Sequence, residues 1–263
     1  MWGLFSYKKV VARIFSSLYN KTNMKPIYKR VIIKLSGEAL ADQENHSIYD
    51  RAKLQRIANT IKEVADTGVQ IGIVVGAGNI WRGKLADTVG IDHSTADYMG
   101  MLGTIMNGLA IQSACEEKGL NTRVASAINV PQVCEPYIRR KAIHHLNKNC
   151  VVIFAGGTGN PFFTTDSNAA LKALDCDADA ILMGKNNVEG VYDSDPRTNP
   201  NAKLLKKLTF QETVEKQLQV MDLTAVAQLE KSKIKIHVFN MEDPENIMRV
   251  LMGEDVGSVI SEE

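Results

Sequence analysis

From residue 30 onward, short apolar runs alternate with segments whose apolar residues fall at helical spacing, and few architectures accept that order. Val31 to Leu35, Val69 to Val75, Cys150 to Phe154 and Ala180 to Met183 read as strands buried on both faces. Between the first two, Leu54, Ile57, Ala58, Ile61, Val64 and Ala65 mark a helix that Gly68 stops. Met99, Leu102, Ile105, Met106, Leu109 and Ala110 mark a second, with strand-like pieces near residues 123–128 and a helix near 137–146. Further helices are expected near 210–217 and 223–231 and after Pro244, with strands around Ile234, Ile236 and Val238 and at 257–260. Repeated strand–helix–strand units imply an α/β protein with a mainly parallel central sheet and helices on both faces. Ligands of such sheets lie outside the carboxyl ends of the strands, which selects the loops at residues 34–38, 76–83, 156–166 and 184–195.

The charge balance narrows the function. A net charge of +1 over 263 residues argues against a nucleic-acid-coating protein, so small-ligand chemistry is expected and no nucleic-acid partner. Cys115, Cys134, Cys150 and Cys176 form no Cys-x-x-Cys pair and read as reduced thiols of an intracellular, cytoplasmic protein. No apolar run reaches the ~18 residues of a membrane span. The histidines show no ligand spacing and read as surface or capped residues, and the methionines 99, 101 and 106 read as core. Residues 1–27 are basic and acid-free, and form an extension of unassigned role before a single domain at 28–263. Met24 offers an alternative start that would make residues 1–23 an upstream extension; a transit or membrane-surface segment is the competing reading.

Two motifs nearly match and fail. Gly76-Ala77-Gly78-Asn79-Ile80-Trp81 opens like a dinucleotide fingerprint, but Trp81 stands where helix and strand must approach closely. From Gly78 to Lys84 the loop fits a phosphate-binding P-loop until Leu85 replaces the metal-binding hydroxyl. What remains is a glycine turn carrying Arg82, whose planar fork suits phosphate oxygens. Lys34, at the end of an apolar strand and beside Ser36-Gly37, is a second cation that the core does not need. The run Gly156-Gly157-Thr158-Gly159-Asn160-Pro161-Phe162-Phe163-Thr164-Thr165-Asp166 joins a buried strand to a helix start, with Asp166 expected as the capping side chain. Free backbone donors at a helix amino end suit a phosphorylated ligand.

Lys34-Leu35-Ser36-Gly37-Glu38, Gly78 to Gly83, Asp97-Tyr98-Met99-Gly100-Met101, Gly157 to Asp166, and Val188 to Pro196 together resemble the bacterial-type uridylate kinases of the amino-acid kinase superfamily. The resemblance runs in order from about residue 31 to 260. It implies a three-layer αβα sandwich, a homohexamer, and phosphoryl transfer from ATP to UMP with Mg²⁺ in pyrimidine nucleotide (CTP) biosynthesis. By the same resemblance, Lys34, Leu35, Ser36, Gly37, Gly78 and Arg82 handle ATP phosphates, and Asn186, Tyr192 and Asp195 hold the adenine nucleotide. UMP falls to Ala77, Asp97, Thr158, Gly159, Asn160, Pro161, Phe162, Phe163, Thr164 and Thr165, with Asp97 at the ribose hydroxyls. The amino-terminal half is thereby the UMP-binding half and the carboxyl-terminal half the ATP-binding one. The resemblance also implies that Lys34, Arg82 and Asp166 form the catalytic set, Asp166 organising the centre through Mg²⁺ or through Lys34, with Mg²⁺ carried mainly on the nucleotide phosphates.

Two departures stand out. Ala77 replaces a frequent glycine, and Asn45-His46-Ser47-Ile48 replaces a glycine-phenylalanine-glycine-isoleucine run, which leaves a GTP or UTP effector response open. Kinases of glutamate, aspartate, acetylglutamate or carbamate share the lysine and glycine-loop chemistry but need a different acceptor pocket. A non-catalytic anion-binding protein on the same scaffold would not require Lys34, Arg82 and Asp166 together, and an oxidoreductase rests only on the damaged fingerprint at Gly76.

Overall fold

The computed structural model describes residues 25–262 apart from Gln43 and Gln219, so the expectation for residues 1–24 lies outside the described residues. The chain begins with β1 (Arg30–Leu35), α1 (Arg51–Asp66), β2 (Gln70–Val75), the single turn α2 (Ala86–Val89) and the long α3 (His93–Glu117). There follow β3 (Thr122–Ser126), β4 (Glu135–Pro136), α4 (Arg139–Asn147), β5 (Val151–Ala155), α5 (Thr165–Asp175) and β6 (Ala180–Lys185). The last third holds β7 (Val191–Tyr192), β8 (Leu204–Leu205), β9 (Lys207–Thr209), α6 (Phe210–Glu215), α7 (Leu223–Leu229), β10 (Lys235–Asn240), α8 (Asn246–Leu251) and β11 (Ser258–Ser261).

Nine of these strands form one sheet in the order β4-β3-β5-β2-β1-β6-β10-β11-β9. All neighbours in it run parallel except β10 and β11. The central strands are buried along nearly their whole length, as their continuous apolar runs require of a sheet covered on both sides. Alternate side chains feed two cores. Val31, Ile33, Ile71 and Ile73 pack with α1, α3 and α8, whereas Ile32, Val74, Ile181 and Met183 pack with α4, α5 and α7. This is the three-layer αβα arrangement. Helix α5 meets the sheet through Ala169, Ala170 and Ala173, all fully buried, and such small side chains let its axis lie close to the strands.

The strand order carries a functional consequence. The four loops chosen from sequence leave β2, β1 and β6 and the neighbouring β5, and β5-β2-β1-β6 are contiguous in the sheet. With strands ~4.8 Å apart, their carboxyl ends make one rim about 14 Å long. The rim reverses direction at β1: the chain builds β2, β3, β4 and β5 to one side of it, then crosses to β6 on the other. Such switch points leave a crevice.

Local details differ from the expectations. Helix α3 extends well beyond both ends of the apolar stretch read from sequence, from His93 to Glu117, with Asp92 capping it through the Thr95 N–H. Met101 is buried, but Leu102 and Met106 are 48% and 47% exposed, so that part of the methionine cluster is surface. The cap of α5 is Thr164, whose hydroxyl accepts from the Asp166 and Ser167 N–H groups, rather than Asp166 itself. His237 is buried, 2.6 Å from the Tyr28 hydroxyl, where β10 meets the start of the described chain. The stretch read as a loop at residues 184–195 contains the short β7, which pairs antiparallel with β8 further along the chain.

Candidate active site

Lys34 leaves the core at the carboxyl end of β1, half-buried, and its Nζ lies 2.9 Å from Asp166 Oδ1 in the first turn of α5. A lysine inside an apolar strand thus finds a carboxylate supplied by a helix about 130 residues later in the chain. Thr164 makes this possible by ending the loop as the cap, which leaves the Asp166 side chain to face the strand. Asp222 fastens the same helix end: it accepts from the Thr164 hydroxyl and from Ser167 Oγ at 3.0 Å while capping α7 through the Ala225 N–H. At the far end of α5, the Lys172 ammonium sits 3.4 Å over the Tyr137 ring, and Tyr137 donates to Asp175 at 2.6 Å. Burial pushes the Lys172 pKa down to about 8, opposed by the Asp175 charge.

The loops after β1 and β2 touch backbone to backbone. A Cβ on Gly37 would stand 2.7 Å from the Gly76 carbonyl oxygen and 2.8 Å from the Gly78 nitrogen, so only glycine fits. Buried Asn107, from α3, donates to the Gly76 carbonyl and to Asn79 Oδ1, both at 2.8 Å. Asn79 in turn donates to the Ile48 carbonyl, which ties in the segment that replaces the family's glycine-phenylalanine run. Ala77 has no positive φ, so its methyl group adds no backbone strain, and it packs toward Gly103 of α3. Trp81 lies against Gly100 of that helix. Arg82 is exposed; it donates to Glu38 Oε1 at 2.7 Å and to the Gly78 carbonyl at 3.2 Å.

The third loop crosses the rim and reaches α3. The N–H of Gly156 donates to Thr104 Oγ1 at 2.8 Å, and the Phe162 N–H donates to Asp97 Oδ2 at 2.7 Å. Phe162 is 77% exposed and adopts φ +69, a left-handed conformation costing an aromatic residue about 1–2 kcal/mol. The charge-assisted bond to Asp97 offsets part of that cost. Asp97, Phe162 and the flanking Thr158, Gly159, Asn160, Pro161 and Phe163 therefore form one accessible wall beyond β2 and β5.

On the other side of β1, Lys185 ends β6. Burial depresses its pKa and the Lys34 charge adds to that, while Asp166 opposes both. Asn186 lines a cavity of about 370 Å³ together with Glu38, Lys53, Arg56 and Met241. Tyr192 stands in β7 of the β7–β8 hairpin; Asp195 lies in the connection between the two strands, exposed and paired with Arg197 at 3.0 Å, which holds its carboxyl below the usual range. The sequence-selected residues thus fall into a tight centre, Lys34, Gly37, Gly78 and Asp166, and two flanks, with Tyr192 and Asp195 outermost. Sequence reasoning passed over Lys185 and Asp222. The first had a visible signal, a lone cation closing an apolar strand in a selected loop; the second acts across 55 residues and had none. Among the described residues, no group of three His, Cys, Asp or Glu side chains is placed to hold a metal ion.

The sequence model of the Amino acid kinase family matches residues 29–240. The chain belongs to that family. Within it, this protein is similar to the UMP kinase from Bacillus anthracis, with 43% identity over 90% of this chain and 97% of that one, at a TM-score of 0.87. It is similar to the UMP kinase from Ureaplasma parvum at 40% identity, covering 89% of this chain and 98% of that one, with a TM-score of 0.84. The uridylate kinase from Archaeoglobus fulgidus, 32% identical over 88% of this chain and 99% of its own, superimposes at 0.66. This amino acid kinase family member therefore shares both fold and nearly full length with nucleotide-phosphorylating relatives.

Proposed function

We infer that this chain is a uridylate kinase, transferring the γ-phosphoryl group of ATP to UMP to give ADP and UDP. The observation that carries the reading is the Lys34–Asp166 contact, because it joins the lysine of the first glycine loop to the helix that the acceptor loop opens. Two nucleotides bound on either side of β1 would meet there. In this reading UMP occupies the wall of Ala77, Asp97 and residues 158–165, and the amino-terminal half of the domain at 28–263 is the acceptor half. ATP lies toward Asn186, Tyr192 and Asp195, its phosphates over Lys34, Leu35, Ser36, Gly37, Gly78 and Arg82.

The acceptor is a phosphate monoester whose second pKa is about 6, so it arrives ionised and needs no general base. Catalysis then reduces to holding two polyanions in line against their repulsion. Lys34 donates to the phosphoryl oxygens while Asp166 fixes its position. Arg82 exchanges Glu38 for phosphate, a replacement of one exposed carboxylate by a more highly charged partner. Backbone N–H groups of the two glycine loops hold the remaining oxygens, fixed in place by Asn107 and Asn79. Asp166 is the carboxylate that would meet a Mg²⁺ ion arriving on the nucleotide, and such an ion would neutralise phosphate charge.

An exposed stripe on α3 supports the assembly reading. Tyr98, Leu102 and Met106 recur every fourth residue and are 44%, 48% and 47% exposed, an apolar stripe suited to another copy within a homohexamer. The expected setting is the cytoplasm, in pyrimidine nucleotide synthesis. Incubating purified protein with Mg-ATP and, separately, UMP, CMP, AMP, GMP, glutamate, aspartate, acetylglutamate and carbamate, then resolving products by chromatography, tests the reading. UDP and ADP in equal amounts from UMP are expected. Phosphorylation of an acidic amino acid in place of UMP would refute it.

A further inference from the structure

Lys34 and Lys185 rise from adjacent parallel strands. Lys34 stands opposite Met183 in the β1–β6 register, and alternation along β6 places Met183 and Lys185 on one face. That face is the one covered by α5: Ile181 and Met183 share a core with Ile32 and with Ala169, Ala170 and Ala173. Ile32 and Lys34 alternate in the same sense on β1, so both lysines come up beneath the amino end of α5. Asp166 is the carboxylate at that end, 2.9 Å from Lys34 and electrostatically coupled to Lys185.

Asp166 faces both lysines, and the two ammonium groups bring positive charge to the centre of the rim. Two neighbouring ammonium groups in a partly desolvated place repel each other in the free protein, and that repulsion turns to attraction when a group of higher negative charge arrives between them. We propose that Lys185 is a second catalytic lysine, donating hydrogen bonds to the oxygens of the transferring phosphoryl group from the β6 side while Lys34 does so from the β1 side. The proposal rests on the uridylate kinase reading and adds a residue that reading does not contain. During transfer the bond from the γ-phosphorus to the β–γ bridging oxygen breaks, its electron pair staying on ADP, and a bond forms to a UMP phosphate oxygen. No proton moves in the transfer. Its place between the donor flank at Asn186 and the centre at Asp166 suits the leaving oxygen, where negative charge grows.

The test compares the full-length wild type with Lys185→Met, which keeps the aliphatic stem and removes the charge, and with Lys185→Arg. Steady-state turnover of UMP with Mg-ATP, thermal unfolding, and binding of ADP plus UMP with and without tetrafluoroaluminate are measured. Lys185→Met is expected to lose about 10²-fold in kcat, the effect of removing one preorganised electrostatic group, with its unfolding temperature unchanged. It should bind ADP and UMP as wild type does but lose the gain in affinity that the phosphoryl mimic gives. Lys185→Arg should recover part of both. Wild-type kcat in a folded Lys185→Met, or equal losses in both variants accompanied by equal falls in unfolding temperature, would overturn the assignment. A wild type that makes no UDP would instead overturn the uridylate kinase reading itself.

Discussion

Replacing Gly37 by alanine tests whether the rim works by close approach. Gly37 has no positive φ, so alanine fits its backbone and only space is at issue. The new methyl group would lie 2.4 Å from Asn79 Oδ1, 2.7 Å from the Gly76 oxygen and 2.8 Å from the Gly78 nitrogen. Two of those atoms are backbone, and the third belongs to a side chain already held by Asn107 and the Ile48 carbonyl, so none can swing aside. Ordinary contact begins near 3.4 Å, so the loops after β1 and β2 must part by about 1 Å at the tightest contact, Asn79 Oδ1, and by about 0.7 Å at the Gly76 oxygen. A misplacement approaching 1 Å costs about 10²-fold in rate where catalysis depends on alignment. The strand cores beneath are untouched, and overpacking at one such point costs about 1–3 kcal/mol, which leaves a cooperative fold. A coupled assay of ADP release at saturating UMP, alongside thermal unfolding, reads both quantities. Undiminished turnover in a folded Gly37→Ala protein would show that the spacing of these loops does not set the rate.

Three further outcomes follow from the geometry. Lys34→Met or Asp166→Asn should lower kcat by about 10² or more while the protein remains folded, measured by single-turnover transfer of labelled phosphate; either variant with full activity would remove that residue from the centre. Asp222→Ala leaves the Thr164 and Ser167 hydroxyls without their carboxylate, and should lower kcat and stability together through a loosened α5, an expectation that unchanged hydrogen exchange in the first turn of α5 would contradict. His237 has its pKa lowered to about 4 by burial, with the Lys235 charge adding, against 6.5 when unfolded. The unfolded chain therefore binds the proton first on acidification, so stability present above pH 6.5 is lost as pH falls toward 4. At pH 4.5 the loss amounts to about 2.5 kcal/mol relative to a His237→Gln control, and parallel urea-unfolding curves for the two proteins across this range would disprove it.

Much of the architecture could be read from residue order because β1, β2, β5 and β6 are continuous apolar runs, the signature of strands covered on both faces. Their carboxyl ends then located the rim. Strands β4, β7 and β8 could not be read this way: two residues carry no alternation, and their pairing is with distant or edge segments. Helix α3 was read too short because polar Asn107 faces inward while Leu102 and Met106 face outward, which blurs the usual stripe. At the site, Lys34 and Asp166 announced themselves through glycine-rich surroundings. Thr164 outcompeted Asp166 as the helix cap because the carboxylate has a better partner in Lys34, a choice that only the folded sheet makes available.

The single reversal in the sheet has a practical side. Because β11 runs against β10, with Ile260 beside Ile236 near the start of that strand, the described chain finishes on the same edge from which β1 sets out. Both described ends thus leave from the floor of the sandwich, opposite the rim of loops. Tethering the protein to a bead or sensor surface at either end of the described chain should leave its working edge turned to solution, and a bulky group at those points should spare turnover.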